Sequence, residues 1–354
     1  MHGESEKRAS RRSTRSVTLS EVAAHAGVSP QTVSRAIRQP DVVSEDTLER
    51  VQESIRATGY VPNLAASNLA SNRSRTIAVL IPAVSASVFA ETVQGLETVL
   101  APHGYHLFIG TTEYSLQQEE DMLRAFLGRR PDGIVLVGTE HSPGAQTLLN
   151  AAQVPVVESW ELTQHPVDSV VGFSNYAAMS GLIEHIHALG YRFPVLAGQF
   201  AGGDVRALRR RAAFEDGMRR LFPQVPVRIL DSGAAGVSME AGRDLFRQAR
   251  EQLPQADVIM FASDVFASGA VLEAVRSGVA IPGDVGVTGF GGFELGQHLT
   301  PSLTTVLVPS RRIGEEAGRV LLERIEANRA PATPTIVDVG HTLVTGESTA
   351  PQHA

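Results

Sequence analysis

Near the start of the chain, apolar residues recur at the spacing of one helix face, which predicts a short amphipathic helix. Gly27 then interrupts the pattern, as a left-handed helix cap does. A second helix is predicted after Ser29, a good N-cap, with Pro30 at the first helical position, and a third over residues 45–57. The apolar stripes of these helices are Leu19, Val22, Ala23 and Ala26; Val33, Ala36 and Ile37; and Leu48, Val51 and Ile55. Two short helices joined through a glycine turn, with a third closing the core, indicate a helix-turn-helix domain.

The rest of the chain alternates short apolar runs with amphipathic helical patterns. Such alternation is typical of parallel sheets covered by helices. Ten strands are too many for one small doubly wound unit, so an α/β core of two lobes with a ligand cleft between them is predicted. The candidate strands are residues 76–81, 106–111, 133–137, 155–158, 169–173, 194–198, 227–230, 257–262, 285–290 and 303–308.

Composition narrows the class of protein. The 354 residues are 43% hydrophobic and 19% charged, as in a soluble protein of several domains. The absence of cysteine excludes thiolate catalysis, disulfides and cysteine-ligated metals. No apolar run approaches the ~18 residues of a membrane span, and no signal peptide is evident, so a cytoplasmic protein without a membrane partner is expected.

Charge is distributed unevenly along the chain. The formal net charge is −7, yet residues 1–75 carry 11 basic and 8 acidic side chains, a net of +3, and the remainder carries 20 and 30, a net of −10. A basic head on an acidic body suits a protein in which one small part contacts DNA. A solvated basic tail with no partner would give the same distribution.

The segment TLSEVAAHAGVSPQTVSRAI, which begins at Thr18, resembles the DNA-binding signature of the lactose/galactose repressor (LacI/GalR) family. The resemblance extends over about residues 17–345, and the segments IPAVSASVFAETVQGLE, VGFSNYAA and GFGGFELGQ look most like gluconate-type repressors. It implies a homodimeric transcriptional repressor that binds a palindromic double-stranded operator, with a core similar to periplasmic sugar-binding proteins, whose small-molecule effector alters DNA affinity. No leucine heptad follows TLVTGES, so a tetramer of the lactose-repressor type is not expected.

The resemblance also implies domain boundaries. The expected parts are a basic disordered tail (1–16), the helix-turn-helix domain (17–61), a hinge helix or linker (62–75), the effector-binding core (76–345) and a C-terminal tail (346–354). Within the core, the N-lobe is expected to comprise 76–173 and 303–336, and the C-lobe 174–302 and 337–345.

The second helix is expected to read bases, because a recognition helix presents its N-terminal residues to the major groove. Gln31 can pair bidentately with adenine, and Arg35 with guanine or a phosphate. Pro30 has no hydrogen-bonding group, which predicts weak readout there, and the alternative for Gln31 is a solvated surface position. Leu69 is assigned by the resemblance to a minor-groove wedge, the alternative being that it begins the core. The remaining expected DNA contacts are Thr18, Ser29, Thr32, Ser34, Asn63 and Ala66.

Effector contacts are carried over from the family residue by residue. The expected contacts are Phe89, Asn175, Arg210, Ser263 and Asp264. Arg209 and Arg211 are alternatives to Arg210, and Asp264 could instead cap a helix that begins near Phe266.

The expected pocket departs from the family pattern in ways that bear on ligand class. Ser174 and the pair Gly291 and Gly292 stand where aspartates are usual, and Ser263 replaces asparagine. Carboxylates accept the hydroxyl hydrogens of a neutral sugar but repel an anion. Losing acids while keeping Arg210 therefore favours a sugar acid such as gluconate. A neutral or phosphorylated sugar is the alternative effector.

The sequence contains no motif of a hydrolase, a P-loop enzyme or a zinc protease, so the protein is not expected to be an enzyme or to carry a cofactor or metal. His185 and His187 are two residues apart on a predicted helix and would face different directions, which predicts surface histidines. A solute-binding receptor would share the core architecture, but it would carry a signal peptide and no DNA-binding head.

Overall fold

The computed structural model describes residues 17–61, 73–84, 87–200, 204–327 and 333–351. They fall into two compact units, which divide between Ser74 and Arg75. Each unit has its own apolar core. The expected tail over residues 1–16 and most of the expected hinge lie outside the described residues.

The first unit is a three-helix domain, as the apolar pattern predicted. Its helices are α1 (Leu19–Ala26), α2 (Pro30–Arg38) and α3 (Glu45–Thr58), with a short 3-10 turn at Pro40–Val42. Gly27 ends α1 in the left-handed conformation at φ 65°, and the Ser29 side chain accepts the N–H of Thr32 at the start of α2. These local interactions set the turn between the two helices. The fully buried residues of the core are Val22, Ala23, Ala26, Val33, Ala36 and Val51.

The second unit contains two six-stranded sheets. The N-lobe sheet has the order β11-β5-β4-β3-β1-β2 and is wholly parallel. Its strands are β1 (Thr76–Ile81), β2 (His106–Thr111), β3 (Gly133–Val137), β4 (Val156–Ser159), β5 (Ser169–Gly172) and β11 (Thr335–Asp338).

The C-lobe sheet has the order β12-β10-β9-β8-β6-β7, and only β12 runs antiparallel to its neighbour. Its strands are β6 (Pro194–Gly198), β7 (Ile229–Asp231), β8 (Val258–Phe261), β9 (Gly286–Gly291), β10 (Thr304–Leu307) and β12 (Thr342–Val344).

Nine helices of the described second unit cover the two sheets. They are α4 (Ser87–Leu100), α5 (Leu116–Leu127), α6 (Pro143–Ala151), α7 (Asn175–Ala188), α8 (Val205–Leu221), α9 (Met239–Gln252), α10 (Asp264–Ser277), α11 (Glu294–His298) and α12 (Ser310–Ala327). Helices α4 and α12 pack closely against each other. A Cβ on Gly95 would lie 2.2 Å from the Arg311 carbonyl oxygen, and one on Gly314 would lie 2.0 Å from that of Thr92. Glycine at these positions lets the two backbones touch.

Two of the expected boundaries between the lobes are wrong. Strand β10 pairs with β9 in the C-lobe sheet. The chain therefore returns to the N-lobe only after Leu307, whereas the return was expected at residue 303. It crosses back after β11, which ends at Asp338, two residues beyond the expected limit of 336. An apolar run such as residues 303–308 shows that a strand is buried, but nothing in its pattern says which of two similar sheets it joins.

The segment expected to be a tail from residue 346 is packed into the C-lobe as far as Ala350. The side chain of Ser348 is fully buried; its hydroxyl donates to the Val287 carbonyl at 2.6 Å and accepts the Thr304 N–H at 2.9 Å. The hydroxyls of Thr304 and Thr349 are 2.7 Å apart. Polar residues here replace the apolar contacts by which a strand is usually recognised, which is why composition indicated a tail. Across all described residues, no helix is long and apolar enough to cross a membrane.

Candidate effector cleft and DNA-reading helix

The carboxyl ends of parallel strands from both lobes meet around a cavity, which is where open α/β sheets bind ligands. It encloses about 650 Å³, including its open mouth. Phe89 and Trp160 line it from the N-lobe, while Arg210, Ser263 and Phe290 line it from the C-lobe. We call this space the aromatic cavity.

Aromatic rings form one wall of the aromatic cavity. The rings of Phe89 and Trp160 meet edge to face with centroids 5.0 Å apart, and Phe173 packs behind them at 6.3 Å from both Trp160 and Phe290. The indole N–H of Trp160 donates to the Thr92 hydroxyl at 3.2 Å. Trp160 has φ 72°, an unusual backbone conformation for a bulky residue that is found mainly at functional sites. The wall is therefore fixed by packing and by backbone geometry.

Arg210 is held from both sides by neutral and charged acceptors. One terminal nitrogen donates to the Asn175 side-chain oxygen at 2.7 Å, the other lies 3.6 Å from Asp204 Oδ2, and the guanidinium carbon sits 4.7 Å from the centre of the Phe290 ring. Its Nε is buried and has no hydrogen-bond partner among the described residues. Burial lowers the pKa of the Arg210 guanidinium, and the charge of Asp204 opposes that shift. Arg210 thus has a buried donor that no described residue uses.

A second arginine, Arg206, lines the same cavity from α8. Its guanidinium carbon lies 5.6 Å from the Phe89 ring centre and 5.9 Å from that of Tyr114, and its Nε donates to Asp204 Oδ1 at 2.9 Å. Although burial alone raises the pKa of Asp204, the Arg206 and Arg210 guanidinium groups bring it below its ordinary value. Two buried arginines therefore share the carboxylate of Asp204, and Glu161 adds only a weaker negative charge at Arg210.

The other two arginines of this run point elsewhere. Arg209 is more than half exposed and pairs with Glu140 of the N-lobe at 3.3 Å, whereas Arg211 pairs with Glu215 on its own helix at 2.8 Å. Of the three consecutive arginines 209–211, Arg210 is thus the one that lines the cavity.

Two residues expected to contact the effector lie behind the cavity wall. Asn175 is fully buried and donates to the Trp160 carbonyl at 2.9 Å while accepting from Arg210. Asp264 is also fully buried, accepts the Thr305 hydroxyl and the Phe293 N–H at 2.7 Å each, and leaves no room for a Cβ on Gly289. The structure brings both residues to the wall without placing either among the residues that line the cavity.

Ser263 and Asp264 divide the roles expected at the start of α10. Ser263 is the N-cap, accepts the Val265 N–H at 3.3 Å and lines the cavity, so Asp264 does not cap a helix that begins near Phe266. Burial raises the pKa of Asp264 to about 6, against the hydrogen bonds that it accepts from Thr305 and Phe293.

Sequence reasoning missed four residues of the cleft: Tyr114, Trp160, Asp204 and Arg206. Asp204 caps α8 through the Arg206 N–H, so an aspartate before the run VRALRRR was the available signal. Tyr114 and Trp160 both have positive φ, which no residue pattern reveals.

A second space adjoins the aromatic cavity and shares Tyr114, Asp204 and Arg206 with it. It encloses about 470 Å³, again with its mouth. We call it the polar compartment after its hydroxyl and carboxylate groups, which lie beside apolar residues such as Leu116 and Val137. They belong to Thr112, Ser115, Glu119, Thr139, Glu140 and Glu161.

The expected DNA-contacting side chains at the starts of α1 and α2 and along α2 differ in exposure and in hydrogen bonding. Gln31 and Arg35 are exposed, and their side chains make no hydrogen bond within the described chain. Thr18 and Ser29 are engaged as N-caps, Thr32 bonds the Ser29 hydroxyl at 2.9 Å, and Ser34 accepts from Arg38. Pro30 is exposed at the first position of α2. Asn63, Ala66 and Leu69 lie outside the described residues.

The described residues contain no cluster of three or more histidine, aspartate or glutamate side chains suited to a metal ion. His187 is exposed and meets Phe222 edge on. His185 is only partly exposed, and its buried Nε2 has no hydrogen-bond partner among the described residues, so the prediction of a surface histidine is wrong for it. Burial lowers the pKa of His185.

A helix-turn-helix head with a free polar face, together with a two-lobed core around a ligand-sized cleft, defines a ligand-binding DNA-binding regulator. The family model for bacterial regulatory proteins of the lacI family matches residues 18–63, and a periplasmic binding protein-like domain matches residues 183–349. The HTH-type transcriptional regulator GntR of Pseudomonas aeruginosa is 35% identical over 96% of this chain and 97% of its own length.

Other relatives agree. The regulator GntR of Escherichia coli K12 is 33% identical over 93% of this chain and 98% of its own length. A crystal structure of a LacI-family transcriptional regulator from Silicibacter pomeroyi, 33% identical, superposes with a TM-score of 0.86 over 94% of this chain and 99% of that one. The chain belongs to the lacI family of bacterial regulatory proteins, as the sequence resemblance predicted, and it is a DNA-binding transcriptional repressor of that family.

Proposed function

We propose that the protein is a cytoplasmic repressor of a carbohydrate or sugar-acid catabolic operon and binds a palindromic operator as a homodimer. Its affinity for DNA rises or falls when a sugar acid such as gluconate binds in the cleft. It acts by binding and not by catalysis. The observation that carries the proposal is the pair Arg206 and Arg210, buried at the aromatic cavity and sharing the single carboxylate of Asp204.

The charge at the aromatic cavity favours an anion over a neutral sugar. Both oxygens of Asp204 face arginines, and the carboxylate of Asp264 is bonded to Thr305 and Phe293 behind the wall. Neither acid has a free oxygen for a sugar hydroxyl in this space. The Nε of Arg210 has no hydrogen-bond partner among the described residues, and arginine guanidinium groups pair well with carboxylates.

The similarity of three cleft segments to gluconate-type repressors supports the same ligand class, as does the match to regulators named GntR over nearly the whole chain. For the head, Gln31 and Arg35 are proposed as base or phosphate contacts because they are exposed and unbonded. The N-cap residues Thr18 and Ser29, with Thr32 and Ser34, are proposed to contact the phosphate backbone.

Calorimetry on the full-length protein tests the ligand class directly. D-gluconate is expected to bind, glucose to bind much more weakly, and Arg210→Gln to lower gluconate affinity at least about ten-fold, the size expected for a lost hydrogen bond between charged groups. Arg211→Gln is the matched control, since that side chain pairs with Glu215 away from the cavity.

Three outcomes would contradict the sugar-acid proposal. Glucose could bind as tightly as gluconate, a sugar phosphate could bind more tightly than either, or Arg211→Gln could weaken gluconate binding as much as Arg210→Gln. Melting curves without ligand show whether each variant is folded, and a gel shift on operator DNA shows whether ligand weakens or strengthens repression.

A further inference from the structure

The N-lobe sheet has an edge rich in arginine, at the amino ends of strands β1, β2 and β3. These strands are adjacent and parallel, so the segments that precede them, residues 73–75, 101–105 and 128–132, lie side by side. The segments contain four arginines, all exposed, and a single acid, Asp132. The four are Arg73, Arg75, Arg129 and Arg130. We call these segments the basic edge; the chain beyond residue 75, in contrast, carries a net charge of −10 as a whole.

Hydrogen bonds to the backbone join the segments of the basic edge. The Arg75 N–H donates to Asp132 Oδ2 at 2.9 Å, and the Asp132 N–H donates to the Thr76 carbonyl at 2.8 Å. On the other side of β1, the His106 N–H donates to the Arg75 carbonyl at 2.9 Å. The arginine-bearing segments are therefore held beside one another as one surface.

No carboxylate forms an ion pair with Arg75, Arg129 or Arg130 in the part of the chain that the structure describes. Arg75 Nη1 donates to the His103 carbonyl at 2.8 Å, and Arg129 Nη1 donates to the Ala125 carbonyl at 2.9 Å. The Arg130 side chain makes no hydrogen bond or ion pair within those residues. Each guanidinium group therefore keeps its charge and most of its five N–H donors for a partner.

The C-lobe shows which part of this edge belongs to the fold alone. At the corresponding edge of the C-lobe sheet, Arg192 precedes β6, and its N–H donates to Asp257 Oδ2 at 2.6 Å. An arginine before the first strand and an aspartate that binds its N–H are therefore common to both lobes. Pro254 and Gln255, however, stand three and two residues before that aspartate, where the N-lobe has two consecutive arginines. The architecture does not require these two arginines.

The basic edge is also the part of the core to which the DNA-binding head is tethered. The described head ends at residue 61, the two units divide between Ser74 and Arg75, and residues 62–74 join them. These 13 residues span at most about 45 Å, so the tether keeps the basic edge close to a duplex that the head has bound. Duplex DNA carries about one negative charge per 1.7 Å of its axis, which a cluster of arginines without acidic partners complements.

We propose that the basic edge is a second DNA-contacting surface, at which Arg75, Arg129 and Arg130 contact phosphates of the duplex whose bases the head reads. Phosphate contacts add affinity and fix orientation without reading sequence. This inference goes beyond the proposed function, because it assigns DNA contacts to the core and does not depend on the identity of the effector.

The test measures how the DNA affinity of the full-length protein depends on salt. Fluorescence anisotropy uses a labelled duplex that the wild-type protein has selected from a random library. The double variant Arg129→Gln/Arg130→Gln is expected to bind at least about ten-fold more weakly at ~50 mM salt, and its slope of log affinity against log salt should be shallower by about 1–2 per subunit.

The matched control is Arg192→Gln/Arg228→Gln. It removes the same charge from two exposed arginines at the corresponding edge of the C-lobe sheet, so its affinity and its salt slope should stay near those of the wild type. Melting curves and sedimentation show whether both variants keep the fold and the oligomeric state.

Each outcome decides the proposal. A shallower slope in Arg129→Gln/Arg130→Gln alone supports a second DNA-contacting surface. An unchanged slope, even with weaker binding, means that no phosphate contact was lost, and an equal change in both variants reflects only the lower positive charge of the protein; either result overturns the proposal. Gluconate takes no part in the experiment, so a failure of the sugar-acid proposal would leave this one standing.

Discussion

His141 gives the N-lobe a stability that should depend on pH. Its side chain is 1% exposed, and its ring nitrogens lie 2.6 Å from Glu119 Oε1 and 3.2 Å from Glu158 Oε1, carboxylates that are themselves 8% and 2% exposed. Although burial alone lowers the pKa of His141, these two carboxylates raise it from 6.5 to about 9. The protonated ring can donate to both acids at once, whereas the neutral ring can donate to only one.

The size of the effect follows from proton linkage. A raised pKa in the folded state stabilises the protein fully below the unfolded value of 6.5, and that stability is lost as the pH rises towards 9. Each pKa unit corresponds to about 1.4 kcal/mol, so the free energy of unfolding should lose about 3 kcal/mol from this group between pH ~6 and ~9.

Urea unfolding of the wild type and His141→Gln at several pH values measures this contribution. Other groups titrate in both proteins, so the informative quantity is the difference in their free energies of unfolding. We expect that difference to be largest near pH 6 and to shrink by about 3 kcal/mol by pH 9. A difference that stays constant across this range would show that the two carboxylates do not stabilise the protonated form of His141, and the reasoning would be refuted.

Three further predictions concern packing, the cavity wall and DNA. Gly95→Ala should destabilise the core by about 1–3 kcal/mol in urea unfolding, because the new Cβ would meet the α12 backbone. The control Gly181→Ala, whose Cβ would have no atom within 4 Å, should be neutral or stabilising, and equal effects of the two substitutions would contradict the prediction. Asp264→Ala should weaken gluconate binding at least about ten-fold in calorimetry by releasing Phe293 and Thr305, and unchanged affinity would show that the wall does not depend on it. Operator affinity in a gel shift should fall at least about ten-fold between roughly 50 and 200 mM salt despite the net charge of −7, and a flat response would exclude phosphate contacts by the head.

The head could be predicted almost to the residue because its signals are local. The cap at Gly27, the N-cap at Ser29 and the start of α3 at Glu45 each depend on residues within one helical turn. Ten of the twelve described core strands were also visible as apolar runs, whereas β11 and β12 were not among the predicted strands. The sheet that β10 joins could not be predicted, because it depends on the pairing of β10 with β9, a contact that the residues of β10 alone do not encode.

The cleft could be predicted only where a family position carries over. Phe89, Arg210 and Ser263 line the aromatic cavity as expected. Arg206 could not be foreseen, because its significance comes from the rings of Phe89 and Tyr114, residues about a hundred positions away on the other lobe. Long-range packing of this kind leaves no periodic trace in either segment.

The two arginines also suggest how an anionic effector couples to the position of the lobes. Arg206, on the C-lobe, stacks on aromatic rings of the N-lobe, and the charge of Arg206 lowers the pKa of Arg210, which means that the two guanidinium groups repel each other. Asp204 offsets one of the two charges, and Glu161 offsets the other only weakly. Under the proposed function, the ligand carboxylate supplies the remaining negative charge when the lobes come together. An anion therefore stabilises that arrangement of the lobes more than a neutral sugar does. Since a ligand shifts an equilibrium only through its different affinities for the two states, this charge deficit is what would let a sugar acid change the affinity for DNA.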